Sequence, residues 1–309
     1  MKFSRRQLLH RGLRAGALAT LPLPAAAAPA APRLGFFVIG DWGRDGAHHQ
    51  TAVARAMATA STARRPRFIV SAGDNFYESG VTGIDDPQWQ TSFEQVYAEP
   101  SLQKPWHVIL GNHDYRGNVP AQLAYTHISP RWRLPARYYS RIEAVGDGTT
   151  AELFFLDTSP FIRAYRGTIT RIEGQNPHAQ RAWLDAALGR STARWKIVIG
   201  HHPIYTALTG PDHDQPDLIA ALDPLLRRHR VPVYINGHDH SMQYVAMNGI
   251  AYATSGTGSE TYRPGPPRRA GFVSGAHGFL ACAFAAEGLR LAFIDDHGRT
   301  RFARTVAGA

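Results

Sequence analysis

The sequence predicts an α/β protein of two stacked sheets with helices on the outside. Strand-like and helix-like segments alternate from Leu34 to about Arg230, the pattern of a sheet covered by helices. After Gly237 the texture changes to short strands separated by Gly- and Pro-rich turns, which a second set of paired strands accommodates. Five apolar runs, moreover, lead into glycine followed by polar side chains, which places donor atoms on a sheet rim. With 309 residues and 44% hydrophobic content the chain can bury a large core. No stretch is rich enough in Ser, Gly or charge to mark a second domain, and no repeat of 20–50 residues is visible. One domain over 32–309 is expected.

Residues 1–31 read as a targeting segment outside that domain. Ser4-Arg5-Arg6-Gln7-Leu8-Leu9 is a twin-arginine signal, a weakly apolar stretch runs from Leu13 to Leu23, and Ala25 to Ala31 offer a cleavage site. The apolar stretch is too short and too broken by Gly and Pro to span a membrane, and no later run reaches about 18 apolar residues. The expectation is a soluble monomer exported by the twin-arginine machinery, periplasmic or secreted, with no stable membrane anchor.

Within the domain, Phe36 to Ile39, Phe68 to Val70, His107 to Leu110, Ile197 to Ile199 and Val233 to Ile235 read as strands. Gln50 to Ser61 is helix-like, with Val53, Met57 and Ala60 on one face. Asn176 to Gly189 carries an N-cap, Pro177 in the first turn, an apolar face and a terminal glycine. A third helical stretch, Asp217 to His229, is expected to break at Pro224, with Asp223 capping a second short helix. Gln243 to Met247, Ile250 to Ser255, Phe279 to Ala285, Leu289 to Ile294 and Arg301 to Thr305 complete the strands, the first two joined by Asn248-Gly249.

The formal charge of +10 includes five basic residues in the signal, so +5 remains for the mature chain. No basic stripe interleaved with aromatics appears, and Arg263 to Arg269 reads as a solvated Pro-rich loop, so nucleic acid is not an expected partner. Cys282 is the single cysteine, which excludes an internal disulfide; its apolar neighbours make it a small buried hydrophobe.

The polar residues after the strands point to metal chemistry. The blocks are Gly40-Asp41-Trp42-Gly43, Gly73-Asp74-Asn75-Phe76-Tyr77, Gly111-Asn112-His113-Asp114, Gly200-His201-His202 and Gly237-His238-Asp239-His240. A lone Asp after a strand is a turn residue and a lone His is a packed one. Five ligand-bearing blocks in this order read instead as a two-metal hydrolase.

In that order the blocks resemble the metallophosphoesterase (calcineurin-like) superfamily, whose fold is a four-layer α/β/β/α sandwich of two mixed β-sheets flanked by helices. Many members carry a histidine two residues after the first Asp; here that place is Gly43. Tyr77, three residues after Asp74, stands where purple acid phosphatases supply a phenolate. The resemblance is to the small, tartrate-resistant type, and it continues through Asn118 to Tyr125 and Leu156-Asp157-Thr158.

The resemblance implies a dinuclear centre. Asp41, Tyr77 and His240 would hold Fe(III); Asn112, His201 and His238 would hold a divalent ion, Fe, Zn or Mn; and Asp74 would bridge them. Hard carboxylate and phenolate oxygens suit the trivalent ion, imidazoles and an amide the divalent one. His113 would contact the phosphate and protonate the leaving group, with Asp114 orienting it, while His202 either lines the pocket or faces outward. Asp239 is expected to serve the turn. The implied reaction is hydrolysis of small phosphate monoesters at mildly acid pH, by in-line attack of a metal-bound hydroxide. The alternatives are a two-metal phosphodiesterase or nucleotidase, and a non-catalytic phosphate- or metal-binding protein. Small animal members carry a further histidine after the Gly-His block, whereas here none follows His202 until His213. The loop 159–175 is shorter than theirs and has little acidic character, so regulation by its removal is not expected.

Overall fold

The computed structural model describes residues 33–208 and 214–308; the expected targeting segment 1–31 and His213 lie outside them. The strands, in chain order, are β1 Gly35–Ile39, β2 Phe68–Ser71, β3 Trp106–Val108, β4 Trp132–Arg133, β5 Tyr139–Ala144, β6 Thr150–Phe155, β7 Trp195–Ile199, β8 Val233–Asn236, β9 Met242–Met247, β10 Ile250–Ser255, β11 Gly271–Ser274, β12 Gly278–Ala285, β13 Gly288–Asp295 and β14 Thr300–Val306. They form two seven-stranded sheets, ordered β14-β13-β12-β1-β2-β3-β4 and β11-β9-β10-β8-β7-β6-β5. Both are mixed. Strands β1 to β4 pair in parallel while β12 joins β1 antiparallel. In the other sheet β6, β7, β8 and β10 are parallel, with antiparallel neighbours at both ends.

The period-2 alternation of side chains makes the layers. On β1, Phe36 and Val38 face Ile197, Ile199 and Val233 across the gap between the sheets. Phe37 and Ile39 point the other way, onto Val53 and Met57 of α1, Gln50–Arg64. On the second sheet Val198 and Tyr234 pack outward against Leu184 and Leu188 of α3, Pro177–Arg190, and Leu218 and Leu222 of α4, Pro216–Arg228. The expected four-layer α/β/β/α sandwich is the observed one.

Two sequence expectations need correction. Helix α4 does not break at Pro224: the proline lies inside a continuous helix, on its solvent side. The carbonyl it leaves unpaired, that of the exposed Ala220, can take water, while Leu218, Leu222, Leu225 and Leu226 bury the opposite face. Asp223 accordingly caps nothing, and pairs with Arg227 at 3.0 Å. The loop 263–269 is not simply solvated, because Arg268 and Arg269 pair with Asp214 at 2.7 and 2.5 Å. Helix α2, Val119–Ala124, capped by Asn118, and strands β4, β5, β6 and β11 carried too little periodicity to be read in advance.

Candidate metal centre

All five polar blocks meet at one rim, because the carboxyl ends of β1, β2 and β3 in one sheet and of β7 and β8 in the other point the same way. Three of the residues concerned, Asp41, Asp74 and His238, have positive φ of 61°, 50° and 69°. Non-glycine residues in that region cost energy and persist where surrounding structure holds them, most often at sites of function. At Gly111 an added Cβ would lie 2.1 Å from Asp74 Oδ1, so only glycine lets the third block approach the second.

The donor atoms fall into two groups. In the first, the Tyr77 hydroxyl lies 3.1 Å from Asp41 Oδ1, 2.9 Å from Asp74 Oδ2 and 3.0 Å from His240 Nε2. In the second, Asn112 Oδ1 lies 3.2 Å from His201 Nε2 and 3.1 Å from His238 Nδ1, which are themselves 3.3 Å apart. Asp74 joins the groups, its Oδ2 being 3.4 Å from His201 Nε2. All seven residues expected as ligands are therefore brought together.

The donor chemistry fits cations. One phenolic proton cannot serve three acceptors. His201 Nδ1 donates to the carbonyl of Ala72 at 2.8 Å, which turns Nε2 toward an amide oxygen and a carboxylate. Burial opposes its charge, but the neighbouring Asp74 carboxylate raises the imidazole to about 9, so a proton on Nε2 takes the place a cation would fill. Like-signed lone pairs this close repel unless a cation lies among them. Metal–donor bonds of about 2.1 Å set neighbouring donors about 3.0–3.4 Å apart, the spacing seen in both groups. Burial, with the charge of Asp74 adding to it, pushes the Asp41 carboxyl up to about 8, and burial raises the Tyr77 phenol well above its usual range. Burial lowers His238 and His240 to about 4, keeping both imidazoles neutral, as ligation requires.

A third group, His49, His277 and Asp296, brings its donor atoms within 4.8 Å of one another but does not aim them at one point. Its imidazoles stack face to face, 3.8 Å apart and 4° from parallel, so their in-plane lone pairs run side by side rather than toward one point.

His113 stands at the edge of the site, its Nε2 3.9 Å from Asp74 Oδ2. Its Nδ1 is 2.7 Å from the carbonyl of Glu78 and 3.0 Å from Arg116 Nη1. The shorter contact, to an obligate acceptor, favours an Nδ1–H, with the guanidinium also 3.4 Å from that carbonyl. Nε2 is thereby left toward the site. Asp114 does not orient this ring as expected. Its buried carboxylate accepts from Gly111 N at 2.7 Å, Gln122 Nε2 at 2.9 Å and the Asn75 backbone and side-chain amides at 3.1 Å. Side chains at i and i+1 of a tight turn diverge, so Asp114 braces the loops while Glu78 holds the histidine.

His202 does not face outward; it is fully buried, with its ring 4.4 Å from that of His238. Both its nitrogens are engaged, Nδ1 by Thr158 Oγ1 and Nε2 by Tyr165 Oη, each at 2.9 Å. Asp239 accepts from Thr206 and Gln243, away from the donor groups, as expected of a turn residue.

Sequence reading missed several neighbours of the site, Glu78, Arg44 and Tyr165 among them. The Arg44 guanidinium lies 3.9 Å over the Tyr77 ring and pairs with Glu78 and Glu260 at 2.5 and 2.8 Å. Tyr165 reaches His202 from a loop that carries no motif. Arg44 and Glu78 each directly follow a polar block, and only that proximity could have drawn notice.

Residues 34–242 match the calcineurin-like phosphoesterase family. Purple acid phosphatase 4 of Arabidopsis thaliana is 38% identical over 283 residues, covering 86% of this chain and 81% of that protein. Tartrate-resistant acid phosphatase type 5 of Sus scrofa is 37% identical over 246 residues, covering 74% and 70%. Among solved structures, GAP50, described as the anchor in the inner membrane complex of Plasmodium, superimposes with a TM-score of 0.78 at 28% identity, covering 90% of each chain. The rim site, the two mixed sheets and these likenesses agree: the chain belongs to the calcineurin-like phosphoesterase family and, within it, to the purple acid phosphatases of the small tartrate-resistant type, which are phosphatase enzymes.

Proposed function

We propose that the chain is an exported acid phosphatase that hydrolyses small phosphate monoesters at a mixed dinuclear centre. The observation that carries this reading is the convergence of two donor groups on a shared Asp74. Asp41, Tyr77 and His240 would hold Fe(III), and Asn112, His201 and His238 a divalent Fe, Zn or Mn. When bound, the pair supplies Lewis-acid polarisation of the phosphoryl oxygens and an acidified water as the nucleophile.

The protein's own part is to hold the substrate and move a proton. His113, tethered by Nδ1–H to Glu78, can carry a proton on Nε2 and deliver it to the departing alkoxide or phenoxide. Burial lowers its pKa, opposed by the nearby charge of Asp74, which confines the protonated form to acid pH. This supports activity at mildly acid pH.

The test is metal analysis with an absorption spectrum, followed by rates on a monoester and a diester. The expected outcome is two ions per chain, a visible phenolate-to-iron band lost in Tyr77→Phe, and preference for the monoester. A colourless, metal-loaded protein whose spectrum Tyr77→Phe leaves unchanged would overturn the iron assignment; preference for the diester would favour the phosphodiesterase or nucleotidase alternative. His113→Ala should retain both ions and lose about 100-fold in kcat. A non-catalytic role is the competing reading, prompted by the likeness to an anchor protein. Absence of turnover in the fully loaded protein would establish it. Export is tested by fusing residues 1–31 to a reporter, with Arg5→Lys and Arg6→Lys expected to retain it in the cytoplasm.

A further inference from the structure

Loop 159–175 follows Thr158, whose hydroxyl makes an unusual set of contacts. It receives the backbone N–H of His201 and of His202, each at 3.1 Å. Those two bonds fill its lone pairs, so its one proton must go to His202 Nδ1, 2.9 Å away. His202 is therefore the tautomer with its proton on Nε2, and that proton goes to Tyr165 Oη at 2.9 Å. The tyrosine oxygen is an acceptor here, and its own O–H has no acceptor among the described residues.

The position of that O–H is fastened. Phe161 and Ile162 are buried in the outer core, while Arg163 donates to Asp217 through its backbone N–H at 2.9 Å and its Nε at 2.7 Å. Tyr165 itself is partly buried and sits one imidazole away from His238. A partly buried donor left unused, on a tethered turn beside the second donor group, is suited to a ligand oxygen.

We infer that Tyr165 is a substrate-contacting residue whose phenolic O–H donates to a phosphoryl oxygen of the bound monoester, on the side formed by Asn112, His201 and His238. Thr158 and His202 are its positioning residues. The inference rests on the phosphatase reading above and extends it. The loop thus contributes a donor to the site beside the second donor group.

The test uses the metal-loaded full chain with inorganic phosphate as probe. Tyr165→Phe should raise the Kd for phosphate and the KM for an aryl phosphate each about tenfold, the loss of one charge-assisted hydrogen bond. Metal content and the visible spectrum should be unchanged. His202→Gln, whose amide can accept from Thr158 and donate to Tyr165, should keep the phosphate Kd within about threefold of the parent, whereas His202→Leu should weaken it as Tyr165→Phe does. A phosphate Kd within twofold of the parent in Tyr165→Phe, with both ions bound, overturns the assignment. So does weakened binding traced to lost metal, and should Tyr165→Phe not fold, an unchanged Kd in His202→Leu overturns it as well. Wild-type protein that neither binds phosphate nor hydrolyses any monoester would instead overturn the phosphatase reading, an outcome separable from the first.

Discussion

A Cβ built on Gly43 would lie 1.9 Å from the carbonyl oxygen of Asn75, so the loop after β1 closes on the loop after β2 only because that residue has no side chain. The absence of a histidine ligand there is thus a packing requirement as well as a difference in chemistry. Gly43→Ala should destabilise the protein by about 3 kcal/mol in urea unfolding and lower its metal content, since Asp41 and Tyr77 sit on the two loops it would separate. Asp114 offers a second test at this scale. Replacing it by Asn sets an amide N–H against groups that already donate to the carboxylate, at a cost of about 3 kcal/mol. Because Glu78 rather than Asp114 holds His113, the pH–rate profile of Asp114→Asn should keep its shape. A displaced alkaline limb would show instead that Asp114 orients the ring.

Among the elements, β3 is the one whose sequence conflicts with its place. His107 is 3% exposed and lies between Phe68 and Phe155 in the gap between the sheets, with Nε2 unpartnered. Burial, with Arg141 and Arg133 near, lowers its pKa from 6.5 to about 3. The unfolded chain therefore binds a proton that the folded one refuses between these values. The neutral ring costs nothing above pH 6.5, and stability falls as pH drops toward 3. At pH 5 the penalty is about 2 kcal/mol, from 1.36 kcal/mol per pH unit below 6.5. His107→Leu should raise Tm at pH 5 and much less at pH 7.5; an equal change at both would show that packing rather than protonation decides it. The same strand delivers Asn112 and His113, so this weakness lies directly beneath the site.

For the whole molecule, the candidate metal centre draws its donors from both sheets. Asp41, Asp74, Tyr77 and Asn112 come from the first, and His201, His238 and His240 from the second. Ions that bind this array and not the unfolded chain stabilise the fold by mass action, by about 4 kcal/mol at a thousandfold excess over Kd. Chelation should therefore lower Tm by several degrees, and readdition of iron or zinc should restore it. No such change would mean that the sandwich holds its rim without ions.

The sequence by itself determined the layered α/β class and the five polar blocks at the strand ends, because glycine and polar residues after apolar runs are local signals, while the choice of seven donors within those blocks came from the family resemblance. It did not reveal that α4 continues through Pro224, since only the burial of Leu218, Leu222, Leu225 and Leu226 outweighs the lost hydrogen bond. Nor did it show which partner holds each histidine. Glu78 for His113, and Thr158 with Tyr165 for His202, are contacts between segments 35 to 44 residues apart, with no spacing to mark them. The candidate donors are written along each strand end. The hydrogen bonds that aim those ligands depend on how separate loops close over the rim, and only the tertiary structure decides that.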